Sequence, residues 1–274
     1  MSIHQARLIF RKKRNLTFKT ITTGIAMNYL KSGASILMFV CLSSLVFAGE
    51  DNSQQINNIS LGTTRVIYPA GSRGIPLTLS NQASHPFLVK SMVLDEDMQR
   101  DAPFVVTPPL FRLDSGQRNT LTVTRTGGRF PTDRESMSWL CVQSIPPEAD
   151  SSWIEDKKDS TGHGKVSVQV RLLPRSCIKL FVRPEAVKGN PVDVAEKVSW
   201  SVSGKTITAT NPTPFYMNIS QASFNGKKLK MDKSYIPPFS DEKYPLPGNE
   251  IKGTVTWSVI GDYGETHEKT FSVK

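Results

Sequence analysis

Short runs that alternate apolar and polar residues, separated by turn residues, recur along most of the chain. The clearest run is 165–172, KVSVQVRL, where Val166, Val168, Val170 and Leu172 lie on one face. A period of two predicts a β-strand with one apolar face. No segment shows a sustained helical period. Many short strands with turns between them predict an all-β protein built from antiparallel sandwiches or barrels.

Similar runs predict the remaining strands of two β-sandwich domains, 49–184 and 185–274. At the start of the second domain, residues 185–196 contain Lys188-Gly189-Asn190-Pro191, which is typical of a linker. Residues 146–164 are polar and long for a hairpin connection, so we expect a mobile loop there. The other predicted strands are 59–68, 75–80, 86–94, 104–113, 119–125 and 136–145, followed by 198–202, 206–210, 215–224, 251–260 and 267–273.

The first 48 residues, 1–48, predict a secretory signal peptide. Basic residues without an acidic one precede an apolar run at 36–47, and Val46-Phe47-Ala48 fits a cleavage site after Ala48. The apolar run is too short for a membrane span of about 20 residues. We therefore expect export without a stable membrane anchor. Met27 is an alternative start of translation, because the residues after it make an ordinary signal by themselves.

Removal of this leader changes the charge of the protein. The whole chain carries 34 basic and 24 acidic residues, for a net charge of +10. Seven of the basic residues belong to the leader, which leaves a mature net charge of +3. No basic stripe interleaved with aromatic residues remains, so the sequence disfavours a nucleic-acid partner.

The leader also contains one of the three cysteines, which leaves Cys141 and Cys177 in the mature chain. A single pair in an exported protein predicts one disulfide. Two buried free thiols are the alternative.

Motifs for catalysis or metal binding are missing from the sequence. The histidines after the leader, His85, His163 and His267, have no Cys, Asp or Glu at metal-ligand spacing. We expect no enzymatic activity, no cofactor and no metal. A hydrolase whose triad forms only in space stays open as an alternative.

Two cations, Arg65 and Lys179, lie among apolar neighbours in predicted strands. One interpretation is a pair of edge charges that prevents aggregation. The other is an anion site, because Arg binds a carboxylate with two donors and Lys adds a point charge. Position alone favours the edge charges.

Residues 130–146, FPTDRESMSWLCVQSIP, resemble the signature of the periplasmic chaperones of the usher pathway, the PapD-like family. Four more segments agree in the same order: Thr64-Arg65, 107–113 (TPPLFRL), 178–184 (IKLFVRP) and 211–216 (NPTPFY). The long connection and the cysteine pair are similar to a branch that assembles thin adhesive fibres. Within it, the likeness is closest to the chaperone of the pH 6 antigen type.

The resemblance implies two immunoglobulin-like β-sandwich domains that meet at an angle with a cleft between them. It implies a periplasmic chaperone that binds fibre subunits lacking their last strand and delivers them to an outer-membrane usher. The chaperone lends a strand to the subunit, a known mode of strand addition. Val166, Val168, Val170 and Leu172 are the implied donor residues. Leu173 breaks their alternation and Pro174 follows, so we expect an interrupted register there.

The resemblance also implies roles for individual residues. Arg65 and Lys179 would anchor the C-terminal carboxylate of the subunit. Glu135, Arg183 and Asp262 would form an ion-pair network between the domains. Cys141 and Cys177 would form a disulfide between the last two strands of the first domain.

One alternative to the chaperone is a secreted two-domain adhesin or binding module, which would need neither Arg65 nor Lys179. If the protein is a chaperone, its bare donor strand makes self-association plausible when no subunit is bound.

Overall fold

The computed structural model describes residues 59–147 and 173–274, which form two β-sandwiches. Within these ranges the first sandwich has two sheets, with strand orders β1-β3-β7-β5 and β2-β9-β8-β4-β6. Its pairs are antiparallel except β2–β9, which is parallel. The strands are β1 (Ile59–Leu61), β2 (Arg65–Pro69), β3 (Ile75–Asn81), β4 (Phe87–Leu94), β5 (Phe104–Thr107), β6 (Leu110–Leu113), β7 (Arg118–Arg125), β8 (Ser136–Ile145) and β9 (Arg175–Arg183).

The second sandwich follows a short helix and has sheets ordered β10-β11-β15 and β13-β12-β16-β17, with β14 also paired to β12. The helix α1 (Pro191–Val194) starts with a capping box, in which the side chains of Asn190 and Asp193 accept each other's backbone N–H groups. The strands are β10 (Ser199–Ser203), β11 (Thr206–Asn211), β12 (Met217–Phe224), β13 (Lys227–Lys228), β14 (Tyr235–Ile236), β15 (Ser240–Pro245), β16 (Gly253–Ile260) and β17 (Thr266–Val273).

Each sandwich buries its own core between its two sheets. In the first, alternate residues of facing strands interdigitate, with Leu79 and Leu121 from one sheet against Leu140 and Leu180 from the other. In the second, Trp200 lies with its ring centroid 6.0 Å from that of Trp257. The prediction of an all-β fold with two sandwiches is confirmed.

Two predicted strands are each divided between sheets. The run 59–68 gives β1, which pairs with β3, and β2, which pairs with β9. The run 104–113 is interrupted at Pro108–Pro109, after which β6 joins the other sheet. Proline donates no ladder hydrogen bond, so this position suits a crossing between sheets. The prediction of a single strand was wrong for 59–68. For 104–113, the two prolines predict an edge or a bend, and the structure divides the run there.

Several predictions lie outside the described residues. These are the signal peptide and most of the long connection before β9, together with the donor residues Val166, Val168, Val170 and Leu172. The description resumes at Leu173, and the carbonyl of Pro174 accepts a hydrogen bond from the Ser144 N–H at 3.1 Å. The expected interruption of the donor register at Pro174 therefore stays a prediction.

The predicted disulfide is confirmed. Cys141 on β8 and Cys177 on β9 are direct register partners, and their sulfurs are bonded. Cys141 is fully buried in the first sandwich. The bond therefore ties the central strand β8 of the five-stranded sheet to its neighbour β9, near the start of β9.

Reduction of this disulfide is expected to lower the free energy of unfolding by about 2–4 kcal/mol, because the bond restricts the unfolded chain. Urea denaturation of the mature protein with and without dithiothreitol measures the difference. The control is a Cys141→Ala/Cys177→Ala double variant, whose stability should not respond to dithiothreitol. Two titratable thiols in the unreduced, unfolded protein would contradict the pairing.

Candidate functional site

One face of the strands β2, β9 and β8 carries the candidate site. Leu180 points into the core of the first sandwich, so its neighbour Lys179 lies on the opposite face. The parallel pairing of β2 and β9 makes Arg65 the register partner of Lys179. The antiparallel pairing of β8 and β9 places Trp139 on the other side of Lys179. Arg65, Lys179 and Trp139 thus form a row across three strands.

The second sandwich faces this row and surrounds the ammonium of Lys179. Lys179 Nζ donates a hydrogen bond to Asn218 Oδ1 at 2.7 Å. It also lies 4.7 Å from the ring centroid of Tyr235 and 5.8 Å from that of Trp139, within cation–π range. Burial, aided by the charge of Arg65, lowers the pKa of Lys179 to about 8.

Arg65 is the second cation of the site. Its Nη1 donates to the carbonyl of Ile260 over a long 3.4 Å, and its Nε is buried without a hydrogen-bond partner. Burial lowers its pKa, while the charges of Asp262 and Glu265 act in the opposite direction. Two adjacent cations, one with an unused donor, make this face suited to an anion with two oxygens.

Arg183 joins two acids near the same face. It donates from Nε to Glu135 Oε1 at 2.7 Å, and from Nη1 and Nη2 to the two carboxylate oxygens of Asp262 at 2.6 and 2.7 Å. Glu135 precedes β8 in the first sandwich, whereas Asp262 lies in the β16–β17 turn of the second. The structure therefore brings the three predicted network residues together across the contact between the sandwiches.

The backbone of the second sandwich makes two further hydrogen bonds with Glu135. The Tyr216 N–H donates to Glu135 Oε2 at 2.8 Å, and the Glu135 N–H donates to the carbonyl of Pro214 at 2.9 Å. Burial raises the pKa of Glu135, against the opposing influence of Arg183 and of the Tyr216 N–H. The guanidinium of Arg183 also covers the ring of Phe215, at 5.0 Å from its centroid.

Sequence reasoning missed a second contact between the sandwiches, which is centred on Glu96. Its carboxylate accepts hydrogen bonds from the hydroxyls of Tyr216 and Tyr235 at 3.0 and 3.1 Å. Its carbonyl accepts one from Trp139 Nε1 at 2.9 Å. Glu96 lies in a segment, 95–103, that has only the pattern of a polar turn, so no local signal marks it.

Within the described ranges, no helix is long and apolar enough to cross a membrane. The same ranges contain no group of three or more His, Cys, Asp or Glu side chains able to hold a metal.

Two family models cover almost all of the described residues. "Pili and flagellar-assembly chaperone, PapD N-terminal domain" matches residues 58–188, and "Pili assembly chaperone PapD, C-terminal domain" matches residues 193–271. The chain belongs to the PapD family of pilus assembly chaperones. This membership favours the chaperone over the secreted adhesin and over a hydrolase.

Similar proteins of known name or structure are also pilus chaperones of the PapD type. The chain is 50% identical to the chaperone protein AfaB of Escherichia coli, over 74% of this chain and 82% of that one. The structure of the E. coli chaperone DraB matches with a TM-score of 0.67 and 50% identity, over 79% of this chain and 97% of that one. The SafB chaperone of Salmonella enterica, solved in complex with the SafA pilin, matches with a TM-score of 0.69 and 39% identity, over 78% and 96%.

Proposed function

We propose that this PapD-family chaperone binds unassembled fibre subunits in the periplasm and delivers them to an outer-membrane usher, without catalysis or a cofactor. The observation that carries the proposal is the adjacent pair of Arg65 and Lys179 on the face between the sandwiches. SafB, a 39% identical relative, forms a complex with a pilin, which supports a subunit as the partner.

The anion that suits this pair is the C-terminal carboxylate of a subunit. A guanidinium grips a carboxylate with two parallel donors, and an ammonium adds a third. Charge-assisted hydrogen bonds contribute about 1.5–3 kcal/mol each. An anchor at Lys179, in the middle of β9, would also set the register of a paired subunit strand. Register matters because a slip of one residue turns every side chain to the wrong face.

The donor segment of this proposal lies on the same stretch of chain as the anchor, N-terminal to β9. Val166, Val168, Val170 and Leu172 present one apolar face by their spacing, which suits the open groove of a subunit that lacks a strand. Burying four such side chains yields at most about 6–12 kcal/mol before the cost of ordering the partners.

Processing and domain boundaries complete the proposal. We assign a signal peptide to 1–48, the donor-bearing domain to 49–184 and the second domain to 185–274. The matches of the family models, 58–188 and 193–271, support two domains of about these extents. The disulfide and the long connection before β9 support the branch that assembles thin adhesive fibres. Closeness to the pH 6 antigen type is not confirmed, because the chain is 50% identical to AfaB and 39% identical to the chaperone protein caf1M of Yersinia pestis.

Affinity purification of the chaperone from the periplasmic extract of its source bacterium tests the function directly. We expect a stoichiometric partner whose mass identifies it as a fibre subunit with a free C-terminal carboxylate. Recovery of the chaperone alone, or only as self-associated copies, while subunits accumulate in the same extract, would contradict the proposal.

Subunit capture is expected to weaken as the pH rises above about 8. The pKa of Lys179 in the free chaperone is about 8, so its ammonium loses its charge above that pH and must regain a proton to bind a carboxylate. Folding has the opposite dependence, because the unfolded chain holds the Lys179 proton up to about pH 10.4. The unfolded state then binds more protons, and stability rises with pH between about 8 and 10.4.

The association constant, measured from pH 6.5 to 9.5 by calorimetry with a purified subunit, checks this dependence. Lys179→Arg is the matched control, because arginine keeps its charge and should flatten the profile above pH 8. An identical decline with pH in both proteins would assign the effect to another group.

A further inference from the structure

The cleft lysine depends on the second sandwich for its position. Lys179 belongs to β9 of the first sandwich, yet the side-chain oxygen that accepts its hydrogen bond, on Asn218, belongs to β12 of the second. The aromatic ring nearest its ammonium, that of Tyr235, also belongs to the second sandwich, on β14. The charged group beside it on its own sheet is Arg65, which repels it.

Asn218 is fixed in the orientation that serves Lys179. Its side chain is almost completely buried, and its Nδ2 donates to the carbonyl of Tyr216 at 3.2 Å. With the amide nitrogen turned to that carbonyl, Oδ1 faces Lys179. Its backbone is held as well, because Asn218 is the register partner of both Tyr235 and Ile260. The acceptor therefore has no freedom to leave the ammonium without breaking other bonds.

Glu96 holds the two rings beside Lys179. Its carboxylate binds the hydroxyl of Tyr235, and its carbonyl binds the indole N–H of Trp139. The turn that carries Glu96 is itself closed by Asp95, whose Oδ1 accepts the N–H groups of Gln99 and Arg100. A rigid turn of the first sandwich thus reaches the second and fixes one ring from each.

We propose that Asn218 and Glu96 are positioning residues for Lys179, Asn218 as the built-in acceptor of its ammonium and Glu96 as the clamp on the rings of Tyr235 and Trp139. The positioning roles do not depend on the proposed function. Only their expected effect on subunit binding rests on it. The neutral acceptor keeps the ammonium in place yet leaves its charge free for an incoming carboxylate. A carboxylate at position 218 would instead compete with the subunit for the same ammonium.

The first test exchanges the acceptor and follows Lys179 by NMR in the chaperone alone. In Asn218→Asp, the new carboxylate should raise the pKa of Lys179 from about 8 to about 9 or higher. In Asn218→Leu, loss of the acceptor should lower that pKa below 8, since the bond favours the charged form. The control is Ser220→Asp, which adds the same charge at an exposed position of β12.

The second test removes the clamp and reads the ring-current shift of the Lys179 side-chain protons, which lie over the ring of Tyr235. In Glu96→Ala this shift should collapse toward the value of a free lysine. In Glu96→Gln, which keeps an acceptor, most of it should persist. Glu268→Gln, on an exposed position of β17, is the charge-matched control and should leave the shift unchanged.

The results separate the inference from the proposed function. A pKa of Lys179 that is unchanged in both Asn218 variants, or raised equally by Ser220→Asp, would overturn the role of Asn218. An unchanged ring-current shift in Glu96→Ala would overturn the role of Glu96. If both NMR effects occur, the inference stands, and we then expect Asn218→Asp to recover at least tenfold less subunit complex. Normal recovery in that variant would count against the carboxylate anchor and leave the positioning roles intact.

Discussion

Replacing Lys179 with alanine is expected to reduce recovery of subunit complexes from periplasm to background, while the chaperone remains folded. The ammonium supplies a charge-assisted bond of about 1.5–3 kcal/mol to the proposed carboxylate, which alone is about 10- to 150-fold in affinity. Loss of the anchor also removes what sets the register, so the apolar donor side chains would lose their matched sites in the subunit groove.

The free energy of unfolding of a second variant, Lys179→Met, shows whether the loss of binding comes from a loss of folding. Lys179 is a partly buried cation beside Arg65, and its lowered pKa indicates that the folded protein disfavours its charge. Lys179→Met keeps the length of the side chain without the charge, so its free energy of unfolding should equal or exceed that of the unmodified chaperone. Lys90→Ala, an exposed position of β4, is the control and should give normal complex yield. Normal yield from Lys179→Ala would refute the anchor.

Local pattern was sufficient to predict the fold but not the pairing that builds the site. Leu180 and Val182 of β9 are buried in the core, which leaves Lys179 on the opposite face. Local pattern places Lys179 in a strand among apolar neighbours. It does not indicate that β2 lies parallel to β9 with Arg65 as partner, because that pairing joins distant segments of the chain. The resemblance to the chaperone family supplied that link.

The contacts of Glu96 could not be predicted from local sequence at all. Its hydrogen-bond partners Tyr216 and Tyr235 lie in the other sandwich, more than a hundred residues along the chain. A glutamate in a polar turn has no periodicity and no motif, so its role depends entirely on how two separately folded cores meet. The division of 59–68 has a similar cause, because it depends on which distant strands β1 and β2 pair with.

Replacing Arg183 with methionine is expected to lower the free energy of unfolding by about 3–5 kcal/mol, the cost of leaving a buried charge without its partner. The Glu135 side chain is only 2% exposed, and Arg183 is its one ion-pair partner among the described residues. Asp262, at 15% exposure, also loses its two bonds to the guanidinium. Because the guanidinium bonds to both sandwiches, the contact between them should weaken together with the stability.

The pH dependence of the stability lost in Arg183→Met shows whether the charge of Glu135 causes it. Without Arg183, the pKa of the buried Glu135 should rise well above its unfolded value, so the folded variant binds more protons than the unfolded chain at mildly acidic pH. The deficit relative to the unmodified chaperone should therefore shrink as the pH falls from 8 to 5. Urea denaturation at several pH values measures it.

Two further variants decide whether the uncompensated carboxylate causes this loss. Glu135→Gln in the Arg183→Met background removes the charge but keeps an acceptor for the Tyr216 N–H, so it should restore much of the lost stability. Arg100→Met breaks the exposed pair with Asp95, in which Arg100 is 84% exposed, and should cost less than about 1 kcal/mol. If the double variant is no more stable than Arg183→Met alone, the loss comes from the bonds to Asp262 and the packing over Phe215, and not from the buried charge of Glu135.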